Sequence, residues 1–403
     1  MKTTSALSAT GLARTHETMT AHVASGAVPG LVTLVSRRGE LHVEAIGVQA
    51  IGRAEPMRRD ALFRISSMTK PITAVAALLL VDEGLLRLDE PVDRLLPELA
   101  DRRVLKRLDG PLEETVPAKR PITVRDLLTF TMGFGIVFAP PDSYPIQRAM
   151  TELRLGQGFP NPALPPAPDE WIRGLGSLPL MHQPGERWMY NTGSDVLGVL
   201  IARASGRPFD AFLRRRLFDP LGMRDTGFSV PPEKQGRFST SYLTDAQSGA
   251  LVLFDDPATG QWSRPPAFPS GGAGLVSSVD DYFAFGDMLL HDGEHAGVRV
   301  LSKESVALMT RDQLTPEQKA ASAFPGGFFD HHGWGFGVSV LTADDSTPRR
   351  IGTFGWDGGM GTGWYADPRE DLTTILMTQA AWTSPIPPPV FRDFWRSAYE
   401  AIA

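Results

Sequence analysis

Residues 13–27 set Met19, Val23 and Ala27 four apart among polar residues, a pattern that predicts an amphipathic helix. "GLVTLVSRRGELHVEAIGVQ" (30–49) has two β-rich runs around Arg38-Gly39 and predicts a hairpin. "LFRIS" reads as a short extended lead-in. From Ser67 the run "MTKPITAVAALLLVDEGLL" is too long for a strand, and its period predicts a helix ending near Gly84. Pro71 falls in that helix's first turn, where a missing N–H costs nothing. Residues 91–230 read as helices and loops, among them "ITVRDLLTFTMGF", "SDVLGVLIARASG" and "FDAFLRRRLFDPLGM". The proline-rich stretch 139–168 reads as a loop-dominated insertion, either the wall or lid of a site or plain packing.

After about residue 270 the pattern changes. "GGAGLVSSVDDYFAFGDMLL" predicts a turn and a helix, and "LSKESVALMTRD" another helix. "HHGWGFGVSVLT", "RRIGTFGWDGGMGTGWYADP" and "DLTTILMTQAA" then predict successive antiparallel strands. Strand-forming runs thus lie at both ends with helices between. The expected architecture is α/β (α+β), an antiparallel sheet flanked by helices. Residues 1–90 and 270–403 would form the sheet domain, and 91–269 a mainly helical domain inserted in it.

Composition narrows the function. The 403 residues carry 40 Lys+Arg against 46 Asp+Glu, a net charge of −6, which argues against nucleic acid as the partner. The one arginine triplet, in "LRRRLF" (213–218), suits a solvated helix face better than a phosphate site. The chain has no cysteine, so disulfides, thiolate nucleophiles and cysteine-held metals are excluded. The N-terminus lacks a signal-like apolar core and no apolar run reaches membrane length, so a soluble, cytoplasmic protein with no membrane partner is expected. A homo-oligomer is compatible with the sequence.

The chemistry centres on "FRISSMTK" (63–70). A serine hydroxyl is a poor nucleophile until a base takes its proton. Ser67 and Lys70 stand three apart, a spacing that puts both on one helix face, whereas Ser66 at the same offset meets Thr69. Burial and the positive end of a helix lower a lysine's pKa, and free N–H groups there hold an oxyanion. On its own, Ser-x-x-Lys also fits an N-capping serine beside a solvated lysine.

The surrounding sequence resembles a family. "FRISSMTKPITAVAALLLVDEGLLRLDEPVDRLLPEL" is similar to the nucleophile helix of the serine β-lactamase and penicillin-binding-protein superfamily, in its class C-like, family VIII carboxylesterase branch. The likeness continues in order through "ITVRDLLTFTMGF", "PGERWMYNTGSDVLG", "PLGMRDTGF", "GGAGLVSSVDDYFAF" and "FGWDGGMGTGWYADP". It implies a β-lactamase/transpeptidase-like fold and a serine carboxylesterase acting on short-chain esters without metal or organic cofactor. By the same resemblance Ser67 is the nucleophile and Lys70 and Tyr190 relay its proton. Asn191 directly follows Tyr190, where the family has the asparagine one residue later; aligning on the asparagine would put Met189 in the tyrosine's slot. Where β-lactamases carry Lys-Thr-Gly, this chain has Trp356, Asp357, Gly358 and Gly359. An indole cannot pair with a carboxylate and Asp357 would repel one, which points to neutral esters. The N–H of Gly359 is expected to join that of Ser67 as the oxyanion hole, with Trp356 and 139–168 shaping the pocket. Phe130 and Met132 replace polar residues of the family's phrase, which suits an acyl pocket or core packing.

Other signals are set aside. "HDGEH" (291–295) matches a zinc-peptidase pattern, but Gly293 interrupts it, and a surface turn fits better. His331 and His332 are adjacent, and on a strand they face opposite ways. His182 precedes a turn and reads as structural. No Gly-x-Ser-x-Gly, phosphate loop or dinucleotide fingerprint occurs. An acyltransferase, a β-lactamase or D-peptidase, and a non-catalytic binding protein remain as rival readings of the same fold.

Overall fold

The structure, a computed structural model, describes residues 5–156, 158–322 and 324–403. Its centre is a seven-stranded sheet drawn from both ends of the chain. The elements used below are α1 (Ala9–Ala24), β1 (Gly30–Arg37), β2 (Glu40–Gly47), α2 (Thr69–Asp82), α3 (Thr192–Ser205), α4 (Val279–Leu290), β3 (His332–Trp334), β4 (Ser339–Leu341), β5 (Phe354–Gly358), β6 (Thr362–Asp367), β7 (Leu372–Thr378) and α5 (Pro389–Glu400). The strand order is β3-β4-β5-β6-β7-β1-β2, with every neighbouring pair antiparallel.

The β1–β2 hairpin turns where the sequence places it. Arg38 (φ 50°) and Gly39 (φ 80°) both take positive φ, the two-residue turn whose twist matches the flanking strands. All of β1 is buried because both sheet faces are covered. Leu31 and Val35 pack with Leu372, Leu376, Phe391, Phe394 and Trp395 under α1 and α5. Val32, Leu34, Ile375 and Met377 face the other way and join α2 and α4 in the main core. The period-2 alternation of a strand thus feeds two separate apolar layers.

Helix α2 is buried from Thr69 to Leu80, which is why its sequence is apolar on every side. It begins one step later than the sequence suggests, because Ser66–Met68 forms a 3₁₀ turn ahead of it. The 331–342 run is two strands rather than one; the chain reverses through Gly335–Gly337, and Gly337 takes a φ of 72°. The 139–168 stretch is less irregular than its prolines imply, since Pro145–Glu152 is helical. The 91–269 region also holds two small hairpins, Arg103–Leu105 with Thr115–Pro117 and Ser241–Thr244 with Leu251–Asp255. The arginine triplet is more engaged than a solvated face: Arg214 donates to the Thr226 carbonyl at 2.7 Å, and Arg216 pairs with Glu83. Among the described residues no helix is long and apolar enough to cross a membrane, and no cluster of His, Cys, Asp and Glu has metal-site geometry.

Candidate active site

Ser67 sits in a turn that the fold clamps from several sides. The Ile65 N–H donates to the Leu275 carbonyl at 3.0 Å. The Tyr282 hydroxyl, fully buried, donates to the Met68 carbonyl at 2.9 Å. The Leu275 N–H donates to Thr69 Oγ1 at 3.2 Å. Gly358, at the end of β5, lies against the Ile65 carbonyl so closely that any Cβ there would collide with it. Between these clamps Ser66 takes a φ of 45°, a conformation that costs a non-glycine residue roughly 1–3 kcal/mol and persists only where its surroundings enforce it.

One helical turn on, Lys70 is completely buried. Its Nζ lies 3.0 Å from Ser67 Oγ and donates to the Gly272 carbonyl at 2.6 Å. It also stands 4.4 Å above the centre of the Tyr190 ring. Burial penalises the ammonium and lowers the Lys70 pKa to about 7, against an opposing pull from the carboxylate of Asp195. Burial thus favours the neutral amine at Lys70 far more than an exposed lysine would.

Tyr190 reaches the same place from the loop before α3. Its hydroxyl accepts from Trp356 Nε1 at 2.8 Å. Trp188 stacks on its ring at 5.5 Å, and Trp334 and Phe324 meet it edge-on. Burial drives the Tyr190 pKa well above the ordinary phenol value, and hydrogen bonds with Ser67 and Trp356 pull it back only in part. Asn191, next in the chain, has φ 81° and ψ −64°, and the Thr192 N–H donates to the Tyr190 carbonyl at 3.2 Å. That is a strained γ-turn, and it aims the tyrosine ring inward while α3 departs. The Asn191 side chain points to Asp195, its Nδ2 3.3 Å from Oδ2.

Of the other residues singled out in the sequence, Trp356 abuts Trp334 at 4.7 Å and supports Tyr190. Gly359 has open space where a Cβ would stand, and its carbonyl accepts from the Trp382 N–H at 2.8 Å. Asp357 is not brought to the cleft. Alternation along β5 turns it to the opposite face from Trp356, where it accepts from the Tyr365 hydroxyl at 2.7 Å. Burial there raises its pKa to about 7, so repulsion of a substrate carboxylate by Asp357 has no structural support. Phe130 belongs to the aromatic shell around Tyr190, and Met132 to the main core. The "HDGEH" run turns at 291–293 and then enters a two-residue strand, Glu294–His295, paired with Val298–Arg299, and His295 bonds Asp287 at 2.6 Å.

Sequence reasoning missed Asp195. It is buried, accepts from the Ser270 hydroxyl at 2.6 Å and from the Gly272 N–H at 3.0 Å, and so fixes the turn whose carbonyl holds Lys70. Desolvation raises its pKa. Its place four residues after Asn191, on one face of a helix, was the available signal. Ser66, Ser67, Tyr190, Asn191 and Asp195 line one end of a cleft of about 800 Å³, counting its open mouth.

This order of motifs on this sheet has a counterpart among known proteins: the family model described as Beta-lactamase matches residues 15–385. The chain belongs to the beta-lactamase family. Within it, the chain is 44% identical over 361 residues to Protein Rv1367c of Mycobacterium tuberculosis, covering 88% of this chain and 86% of that one. It is 34% identical over 376 residues to Esterase EstB of Burkholderia gladioli, with the same coverages. Among solved structures, EstCE1, described as a hydrolase with promiscuous acyltransferase activity, superposes with a TM-score of 0.79 at 25% identity, over 97% of this chain and 99% of that one. This member of the beta-lactamase family has the fold its motifs implied.

Proposed function

We propose that this chain is a serine esterase of neutral carboxylic esters. The observation that carries the reading is the 3.0 Å contact between Ser67 Oγ and a fully buried Lys70. Two groups compete for the role of base. A lysine of pKa about 7 is available neutral at pH 7–8, whereas a phenol held well above 10 is not available as phenolate. Lys70 therefore takes the proton as Ser67 Oγ bonds to the ester carbonyl carbon. The Ser67 and Gly359 N–H groups would hold the resulting oxyanion, a role worth roughly 3–4 kcal/mol per donor; the open space beside Gly359 supports this. The carbon–oxygen bond to the alcohol then breaks, Tyr190 protonates the departing alkoxide, and Lys70 restores the tyrosine's proton. Water repeats the sequence in reverse to free the acid and Ser67.

Charge supports the neutral class. Among the described residues lining the cleft there is no Lys, Arg or His to pair with the carboxylate of a β-lactam. The relatives described as esterases fit the same reading. Sheet and helical regions, 1–90 with 270–403 and 91–269, would close the cleft between them. A second reading, transfer of the acyl group to an alcohol in place of water, uses the same residues and is favoured by the described activity of EstCE1. Product partition with added alcohol separates the two.

The test is p-nitrophenyl butyrate hydrolysis by the wild type, Ser67→Ala and Ser66→Ala, with nitrocefin alongside. Loss of turnover in Ser67→Ala alone supports the reading. Full activity in Ser67→Ala refutes it, and nitrocefin as the far better substrate would refute the neutral-ester assignment.

A further inference from the structure

Much of the cleft wall comes from the proline-rich segment, with Leu155, Phe159, Pro162 and Leu164, and Phe268 and Ile136 line it too. Two of these side chains are left bare by the fold: Phe159 is 44% exposed and Leu164 40%. Phe138, 40% exposed, stacks at 6.4 Å on Tyr190, which itself lines the cleft. The wall is nonetheless firmly held. Phe268 stacks on the buried Trp171 at 4.8 Å, and Trp171 Nε1 donates to the Leu155 carbonyl at 3.1 Å. The Phe159 ring rests 6.3 Å from that of Phe254, and the Ala163 N–H donates to Gln261 Oε1 at 3.4 Å. Prolines add rigidity without offering N–H groups to a ligand. A preformed, uncharged, ring-lined surface beside a nucleophile favours whatever covers it with apolar area.

We infer that this wall is a subsite for a rigid, uncharged ring system carried by the ester, and that Phe159 and Leu164 set the preference for it. The inference rests on the esterase reading and extends it, since a short acyl chain alone leaves the wall uncovered. The ring system belongs to the alcohol or to the acid, and the assay has an arm for each.

Initial rates are measured for ethyl butyrate, for 2-naphthyl butyrate (ring on the alcohol) and for ethyl 2-naphthoate (ring on the acid), with wild type and the Phe159→Ala/Leu164→Ala double variant. Both positions are exposed, so the core is untouched. For one naphthyl ester the wild type should show a kcat/KM above that for ethyl butyrate, and the double variant should cut this ratio roughly tenfold, chiefly through KM. A ratio that stays within twofold for both naphthyl esters overturns the inference while leaving the esterase reading intact. N-(2-naphthyl)butanamide, the amide analogue of the first naphthyl ester, is titrated calorimetrically against both proteins. A Kd about tenfold weaker in the double variant supports the subsite whether or not any ester turns over, and an unchanged Kd overturns it. Absence of turnover with all three esters overturns the esterase reading alone.

Discussion

Replacing Trp356 by phenylalanine isolates the contact between β5 and the tyrosine. The substitution keeps an aromatic ring beside Trp334 and Phe328 but removes the N–H that Tyr190 Oη accepts at 2.8 Å. That donor matters little while the oxygen is a neutral phenol. It matters when the phenol gives up its proton to the leaving alkoxide, because burial already disfavours the phenolate strongly. A hydrogen bond to a charged oxygen contributes about 1.5–3 kcal/mol. At roughly 1.4 kcal/mol per decade of rate, kcat should fall about 10- to 100-fold. KM should change little, because the ground state does not use the charge. The smaller ring leaves space in the aromatic shell, so stability should drop by roughly 1–3 kcal/mol. The assay is kcat and KM for p-nitrophenyl butyrate between pH 6 and 9, with a thermal melt to confirm folding. A kcat within threefold of wild type, in a folded variant, would refute the assignment of the indole as charge-supporting donor. A loss confined to KM would refute it equally.

The Lys70 pKa of about 7 sets a pH dependence for activity: kcat/KM should rise through an inflection near pH 7 as the amine loses its proton, and a flat profile from pH 6 to 9 would contradict the lysine base. For stability the sign follows from the same depression. The unfolded chain binds the proton up to about pH 10.4 and the folded one releases it near 7, so the Lys70 contribution is unfavourable below pH 7 and fades as pH rises from 7 to 10. Lys70→Met should accordingly be inactive yet melt several degrees higher at pH 7, read by calorimetry; a lower melting temperature would count against the burial cost. Gly358→Ala drives a methyl into the Ile65 carbonyl, and kcat should fall at least about a hundredfold with a lower Tm, whereas near-normal turnover would show that the clamp on the Ser67 turn is dispensable. Asn191→Gly should keep activity within a few fold because glycine takes the γ-turn's positive φ freely, while Asn191→Val should be poorly folded, as circular dichroism would report.

Local pattern carried much of this molecule. The Arg38-Gly39 turn, the α2 run and the flanking sheet strands are all legible because each obeys one period over its length. The Ser67–Lys70 pair is legible for the same reason, being a spacing on one element. What could not be read is tertiary. Which face of β5 meets the cleft, and hence that Asp357 turns away from it once Trp356 faces it, depends on what packs against the sheet, and Asp195 matters through the Gly272 peptide, which has no side chain to notice. The indole of Trp356 could be placed in a motif, but its bond to Tyr190 joins residues 166 positions apart. The helix inside the proline-rich stretch was hidden because Pro145 sits at its first position, where proline starts a helix instead of breaking one.

The sheet order also governs how this protein comes into being. β1 has β2 beside it as soon as the hairpin emerges, but its other edge waits for β7, with Arg37 opposite Leu372. Almost the whole chain must leave the ribosome before that edge is covered. Until then an apolar hairpin offers unpaired N–H and C=O groups to any neighbouring strand, a hazard of non-local topology that also slows folding. Premature termination anywhere before β7 therefore yields not merely a weaker enzyme but a chain with an open edge on β1, a substrate for chaperones and proteases.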